Sequence, residues 1–401
     1  MIDLADMPIP TDHRALSVLC RFGLYFTFNV LSAQLYSQED DPVVKGLLAK
    51  IELLEGSEKL VWMDSLSSYI SYQTDFTDDS IVQVTRALAV KLDSFNVALH
   101  HTSNLIYYNN NILGQPELGK QLYEESRWLI PKVSDINAIS KFFYDAGNSY
   151  FFLKQFDTAL ALYDSVETYA LKTNYKEYIG LSKMGKGQVY TDMGDFGNAS
   201  IVLQEANRYF ISIDDVVNSM SARNSLSILY SKNGFFKEAK KERDELIDKA
   251  IQTGDLNSLP VYYYNAAADQ RKTKDIAARI DYLKKAIDAL DGSDFGEYLF
   301  PIMYSGILLA YAEADSSEQM EKYLKIIHDN KEKFIEGSFR TYYLEALKEV
   351  EFVRKNYAKA IAYGEEYLAL MQEAKQYEEI EFGEDFLYRA YDAVGNTEKS
   401  F

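Results

Sequence analysis

The stretch GQVYTDMGDFGNASIVLQEA, Gly187 to Ala206, decides the fold. It joins two helix-length segments through a short polar turn, and its landmarks return at a fixed interval. Tyr150, Tyr190 and Tyr230 stand forty residues apart, as do Phe156, Phe196 and Phe236, and Ala159, Ala199 and Ala239. A small residue keeps the same step at Gly147, Gly187, Ser227 and Ala267. Weaker copies follow in KDIAARIDYLKKAI (Ile276, Ala286) and NYAKAIAYGEEY (Tyr357, Ala360). An earlier one places Pro116, Gly119 and Tyr123 forty residues before Phe156, Ala159 and Tyr163.

One such unit has a direct physical reading. An antiparallel helix pair needs small residues where its backbones cross most closely, as at Gly147 and Ala159 or Gly187 and Ala199. Large residues such as Tyr150, Phe156 and Tyr163 fill the gap to the next pair. The turns MGDFGN (Met193 to Asn198) and KNGFFK (Lys232 to Lys237) offer Gly194 and Gly234 as left-handed helix caps. Pro260 and Pro301 are expected at the starts of first helices, where the missing N–H costs nothing. No pair buries its own apolar face, so neighbours must stack.

Composition agrees. Among 401 residues there are only 20 Gly and 7 Pro. Lys and Arg number 42 against 61 Asp and Glu, a net charge of −19. With no basic cluster to release counterions from phosphates, direct nucleic-acid binding by this segment is not expected. One Cys and four His exclude thiolate zinc sites, disulfide frameworks and Cys–His nucleophiles. His100 and His101 point about 100° apart on a helix and read as helix surface. The acidic run Glu378, Glu379, Glu381 and Glu384 lacks the turn of a calcium loop and reads as a solvated face. YYYNAAAD, Tyr262 to Asp269, reads as packing between repeats. No phosphate-cradling Gly loop or Ser–His–acid order is present. The expectation is no enzyme, no cofactor and no metal.

The amino terminus reads differently. Arg14 and Arg21 precede an uncharged stretch from Phe22 to Gln38, the pattern of a secretory signal peptide. The acidic start Met1 to Asp12 departs from that pattern, and an ordinary amphipathic helix is the alternative. Residues 1–38 are therefore expected to be a signal peptide or membrane-targeting segment, and 39–97 a helical cap. Residues 98–401 are expected to be the repeat array, its last copy breaking off after Glu398, Lys399, Ser400 and Phe401 as in a fragment of a longer protein; a frayed native terminus is the alternative.

The order small–Tyr–Phe–Ala–Leu–Ala resembles the tetratricopeptide repeat (TPR), which Gly187, Tyr190, Phe196, Ala199, Leu203 and Ala206 match throughout. The resemblance implies an all-α, right-handed α-solenoid of antiparallel helix pairs, here with about 40 residues per repeat instead of the family's usual 34. It also implies a peptide or protein partner held along the concave face, lined by first helices. The expected contact positions are Asn104, Tyr108, Asn111, Tyr144, Asn148, Phe151, Met184, Gln188, Asn224 and Ile228. Asn suits this role because its amide both donates to and accepts from an extended backbone. A carboxylate clamp is not expected, because Tyr144 and Asn148 stand without the cations such clamps use.

The layout also resembles the extracytoplasmic TPR sensor portion of bacterial membrane-bound LuxR-type or histidine-kinase regulators. That implies a periplasmic or extracytoplasmic sensory module whose transmembrane and output domains are missing. Two alternatives stay open: a free-standing periplasmic scaffold or assembly factor, working through its convex faces, and a cytoplasmic peptide-responsive enzyme regulator.

Overall fold

The computed structural model describes residues 42–71, 80–111, 113–335, 339–374 and 376–396. The targeting reading of residues 1–38 and the break at Glu398 to Phe401 lie outside them. Among the described residues every regular element is helical, and no helix is long and apolar enough to cross a membrane. The chain divides into two compact units, between Phe235 and Phe236.

The first unit opens with α1 (Pro42–Glu52), α2 (Gly56–Ser71) and α3 (Ser80–Lys91). The repeats follow as α4 (Phe95–Asn111), α5 (Pro116–Ser126), α6 (Ile136–Phe152), α7 (Phe156–Thr173), α8 (Lys176–Asp192), α9 (Phe196–Ile211) and α10 (Val216–Lys232). First helices α4, α6, α8 and α10 pack side by side in one layer, while α5, α7 and α9 each sit between two of them in a second. Lys183 on α8 ties the second layer together, reaching Glu167 of α7 at 3.3 Å and Glu205 of α9 at 2.7 Å.

The forty-residue period is written in the backbone. Left-handed residues recur at Gly114, Lys154, Gly194, Gly234, Lys274, Asp315, Lys355 and Gly395, and in the joints between pairs at Asn174, Asp214 and Gly254. From Lys154 onward each within-pair turn closes with the amide just past the left-handed residue bonding a carbonyl five residues back, such as Asp195 to Tyr190 at 2.8 Å or Asn356 to Glu351 at 2.8 Å. In several copies the residue after the left-handed one is an Asp that caps the next helix. Asp195, Asp215 and Asp275 accept from the amides of Asn198, Asn218 and Ala278 at 3.2, 3.0 and 3.0 Å. One helix's stop and the next one's start thus share two residues, which fixes the tight antiparallel pairing.

Close helix approach has a sharper cause than small residues meeting each other. A Cβ on Gly147 would stand 2.7 Å from the Tyr163 ring, and one on Gly187 would stand 2.5 Å from Leu203. The glycines admit a large side chain from the partner helix, while Ala159 and Ala199 are fully buried.

The second unit holds α11 (Phe236–Thr253), α12 (Leu259–Lys272), α13 (Ile276–Asp288), α14 (Gly296–Glu313), α15 (Ser317–Asp329), the single turn α16 (Glu332–Ile335), α17 (Phe339–Val353), α18 (Tyr357–Glu373) and α19 (Tyr377–Ala393). It packs the same way around Leu283, Ile307, Leu308, Phe334 and Val350. Pro260 lies in the first turn of α12 as expected, but Pro301 does not start a helix: α14 begins at Gly296. Inside α14, Pro301 removes the N–H that would have reached the carbonyl of Glu297.

Candidate functional site

Helix periodicity sets Tyr144, Asn148 and Phe151 about one turn apart on α6. Tyr144 lies 5.9 Å from the Tyr163 ring of α7 and edge-on to Tyr178 of α8 at 5.8 Å. Tyr178 in turn packs 4.8 Å from Tyr175. Asn148 Oδ1 accepts the Tyr163 hydroxyl at 2.7 Å. These aromatic and amide groups from three helices form one patch beside Tyr144. Burial, with Glu177 and Asp135 nearby, pushes the Tyr175 phenol up to about 12. Burial likewise drives Tyr163 and Tyr178 well above the ordinary phenol value, so all three stay neutral hydrogen-bonding groups at physiological pH.

The other expected positions divide by burial. On α4, Asn104 and Asn111 are half-buried; Asn104 Nδ2 lies 3.3 Å from His100 Nε2, and Asn111 donates to the Tyr107 carbonyl at 2.9 Å. Gln188 on α8 and Ile228 on α10 are half-buried as well. Tyr108, Phe151, Met184 and Asn224 are buried, the last two completely. The half-buried set that this layer presents is therefore Asn104, Asn111, Tyr144, Asn148, Gln188 and Ile228, distributed over all four first helices. Repeat spacing places a residue around its helix, but it does not say how closely the next helix covers it.

Several polar groups beside this patch were not foreseen. Lys141, one turn before Asp145 on α6, supplies the cation absent from the sequence reading, but it is already committed. Its Nζ lies 2.7 Å from Asp145 Oδ2, which also accepts from Ser103 of α4 at 2.6 Å. Asn110 donates to the Asp145 carbonyl and accepts from Ser149, both at 2.9 Å, stitching α4 to α6. His101 is not on the helix surface: it is fully buried, with Nε2 2.7 Å from Asp64 Oδ1 of α2. Burial, with Lys141 and His101 close by, lowers His100 to about 4. Among the described residues no group of three or more His, Cys, Asp and Glu side chains could hold a metal ion.

The second unit has a charged hub on its own first helices. Arg271 of α12 pairs with Glu345 of α17 at 2.7 Å and with Glu313 of α14 at 3.3 Å, and its guanidinium lies 5.1 Å over the Phe382 ring of α19. Arg279 of α13 pairs with the other oxygen of Glu313. Burial alone would lower the Arg271 guanidinium, but Glu345 and Glu313 outweigh it and hold it above its ordinary value. Burial likewise raises Glu345, yet Arg271 and Lys348 bring it below the usual carboxylate range. Glu379 is not part of a solvated acidic face, since it accepts the Tyr367 hydroxyl at 2.7 Å; Glu381 and Glu384 are exposed. In YYYNAAAD, Tyr262 is packed as expected, whereas Asp269 is buried against Arg243 of α11. These charges lie tens of residues apart, and only the stacking of first helices brings them together.

The fold is that of TPR-like helical-repeat proteins. No protein-family model matches the chain, and no curated protein does. Among solved structures it is similar to the apo form of the quorum sensor NprR from B. thuringiensis, with 15% identity, a TM-score of 0.53, and coverage of 90% of this chain and 96% of that one. It is also similar to a Rap protein complexed with competence and sporulation factor, at 12% identity, a TM-score of 0.53, and coverage of 96% and 97%. A third is aspartyl phosphate phosphatase F from B. subtilis, at 10% identity, a TM-score of 0.51, and coverage of 92% and 87%.

Proposed function

We propose that the chain is a non-enzymatic peptide- or protein-binding TPR module, and that the first-helix layer of its first unit is where the partner lies. One observation carries this reading: four adjacent helices each present a half-buried side chain, and most of these are amides or phenols. Such groups read an extended backbone through hydrogen bonds while the aromatic rings supply contact area. Similarity in fold to a quorum sensor and to a Rap protein complexed with competence and sporulation factor supports a sensory role. We place the module in a bacterial signalling or transcription regulator of the LuxR or histidine-kinase kind, outside the cytoplasm. Selection from a random peptide library on the immobilised full chain tests the binding reading; failure to enrich any peptide overturns it. Mass spectrometry of the mature amino terminus tests export: loss of residues up to about position 38 supports it, and an intact terminus contradicts it.

A second reading is a cytoplasmic regulator that acts by touching an enzyme. It is favoured by fold similarity to a phosphatase of aspartyl phosphate. An intact terminus with cytoplasmic fractionation would support it.

A further inference from the structure

The second unit holds a partly open cavity of about 60 Å³ beside the Arg271 hub. Its walls include Tyr264, Leu283, Ser305, Gly306 and Tyr342, together with the paired charges Arg271, Arg279 and Glu345. Ser305, on α14, is 1% exposed, and its Oγ has no hydrogen-bond partner. A buried hydroxyl left unpaired costs free energy, and a ligand that supplies the missing bond recovers it.

The surroundings select the kind of ligand. Arg271 and Arg279 are matched by Glu345 and Glu313, so every guanidinium here is already paired. A charged ligand would have to break one of these pairs or leave its own charge unpaired in a low-dielectric space, and both are costly. An apolar ligand would leave Ser305 unsatisfied. Allowing roughly 10–15 Å³ for each water-sized group, the space holds about four such groups, the size of acetamide.

We propose that this cavity is a binding site for a small uncharged hydrogen-bonding group, an amide or alcohol, that completes Ser305. The group comes either from a free small molecule or from an Asn- or Gln-like side chain of a bound polypeptide. The assignment does not depend on the first-helix layer of the other unit.

Saturation-transfer NMR on the full chain, with acetamide, acetate and methylguanidinium as probes, tests it. Acetamide should bind, and the two ions should neither bind nor compete. Ser305→Ala should weaken acetamide about fivefold, the equivalent of one hydrogen bond, while leaving unliganded thermal stability equal or higher because the lost hydroxyl had no partner. Gly306→Ala narrows the space, since its Cβ would lie 3.1 Å from Tyr264 and 3.2 Å from Leu283, and should weaken acetamide too. Equal signals from all three probes, or acetamide binding untouched by both variants, would overturn the site. N-acetylglutamine N-methylamide separates the sources. Tighter binding than acetamide supports a polypeptide side chain, binding of acetamide alone supports a free small molecule, and binding of neither overturns the proposal.

Discussion

Tyr163 donates its hydroxyl to Asn148 Oδ1 at 2.7 Å while its ring lies against the bare α-carbons of Gly147 on α6 and Gly185 on α8. One side chain of a second helix thereby locks two successive first helices together. A Cβ at either glycine would stand under 3.0 Å from the ring, at 2.7 Å and 2.6 Å. Gly147→Ala and Gly185→Ala should each destabilise by about 2 kcal/mol through overpacking. Tyr163→Phe, which removes only the bond to Asn148, should cost about 1 kcal/mol. Urea midpoints of the three variants provide the check, and the alanine variants should fall furthest.

The left-handed turn residues give a prediction of opposite sign. Gly194 has φ 76°, and Lys274 holds the equivalent turn at φ 60° with a side chain. Gly194→Ala should destabilise by about 1 kcal/mol, whereas Lys274→Gly should stabilise by a similar amount. Thermal unfolding of the two variants should shift in opposite directions.

The Arg271 hub makes a prediction about pairing. Arg271→Ala takes the guanidinium from Glu345, while Glu313 keeps Arg279, and should cost about 3 kcal/mol. Arg271→Met combined with Glu345→Gln should recover most of that loss, since it removes charges from both sides. Chemical unfolding followed by a probe in the second unit reads both effects.

His100 links stability to pH. Its folded value is lowered to about 4 from an ordinary 6.5, chiefly by burial, with Lys141 and His101 adding and Asp64 and Asp135 opposing. Between those values the unfolded chain binds more protons than the folded one, so stability rises with pH. This contribution should be complete above about pH 6.5 and be lost as pH falls toward 4. His100→Gln should flatten that part of the stability profile, and the His100 ring should titrate near 4 by NMR.

The repeat architecture was legible because its causes are local. Left-handed caps and Asp caps sit within a few residues, and Gly–aromatic contacts join neighbouring helices, so Tyr190, Gly194 and Phe196 announce one unit and the period announces the rest. The binding face was legible only in outline. Periodicity placed Tyr144, Asn148 and Gln188 on the first-helix layer, but Met184 and Asn224 are covered by neighbouring helices whose approach depends on packing between repeats. His101 looked like surface for the same reason, since its partner Asp64 comes from the helical cap. The hub of Arg271, Glu313 and Glu345 was invisible because no local pattern links residues so far apart. Pro301 shows a related limit: a proline marks a helix start only when the preceding turn is not already helical.

The central claim is that the first-helix layer of the first unit receives a peptide or protein. Its most direct test is the affinity of library-selected peptides, by fluorescence polarisation, for the full chain and for the double variant Asn104→Ala, Gln188→Ala. Neither change disturbs the Tyr163–Asn148 lock, so helicity should be preserved. The double variant should lose about tenfold in affinity, the equivalent of one or two hydrogen bonds. Equal affinity for both proteins would contradict it.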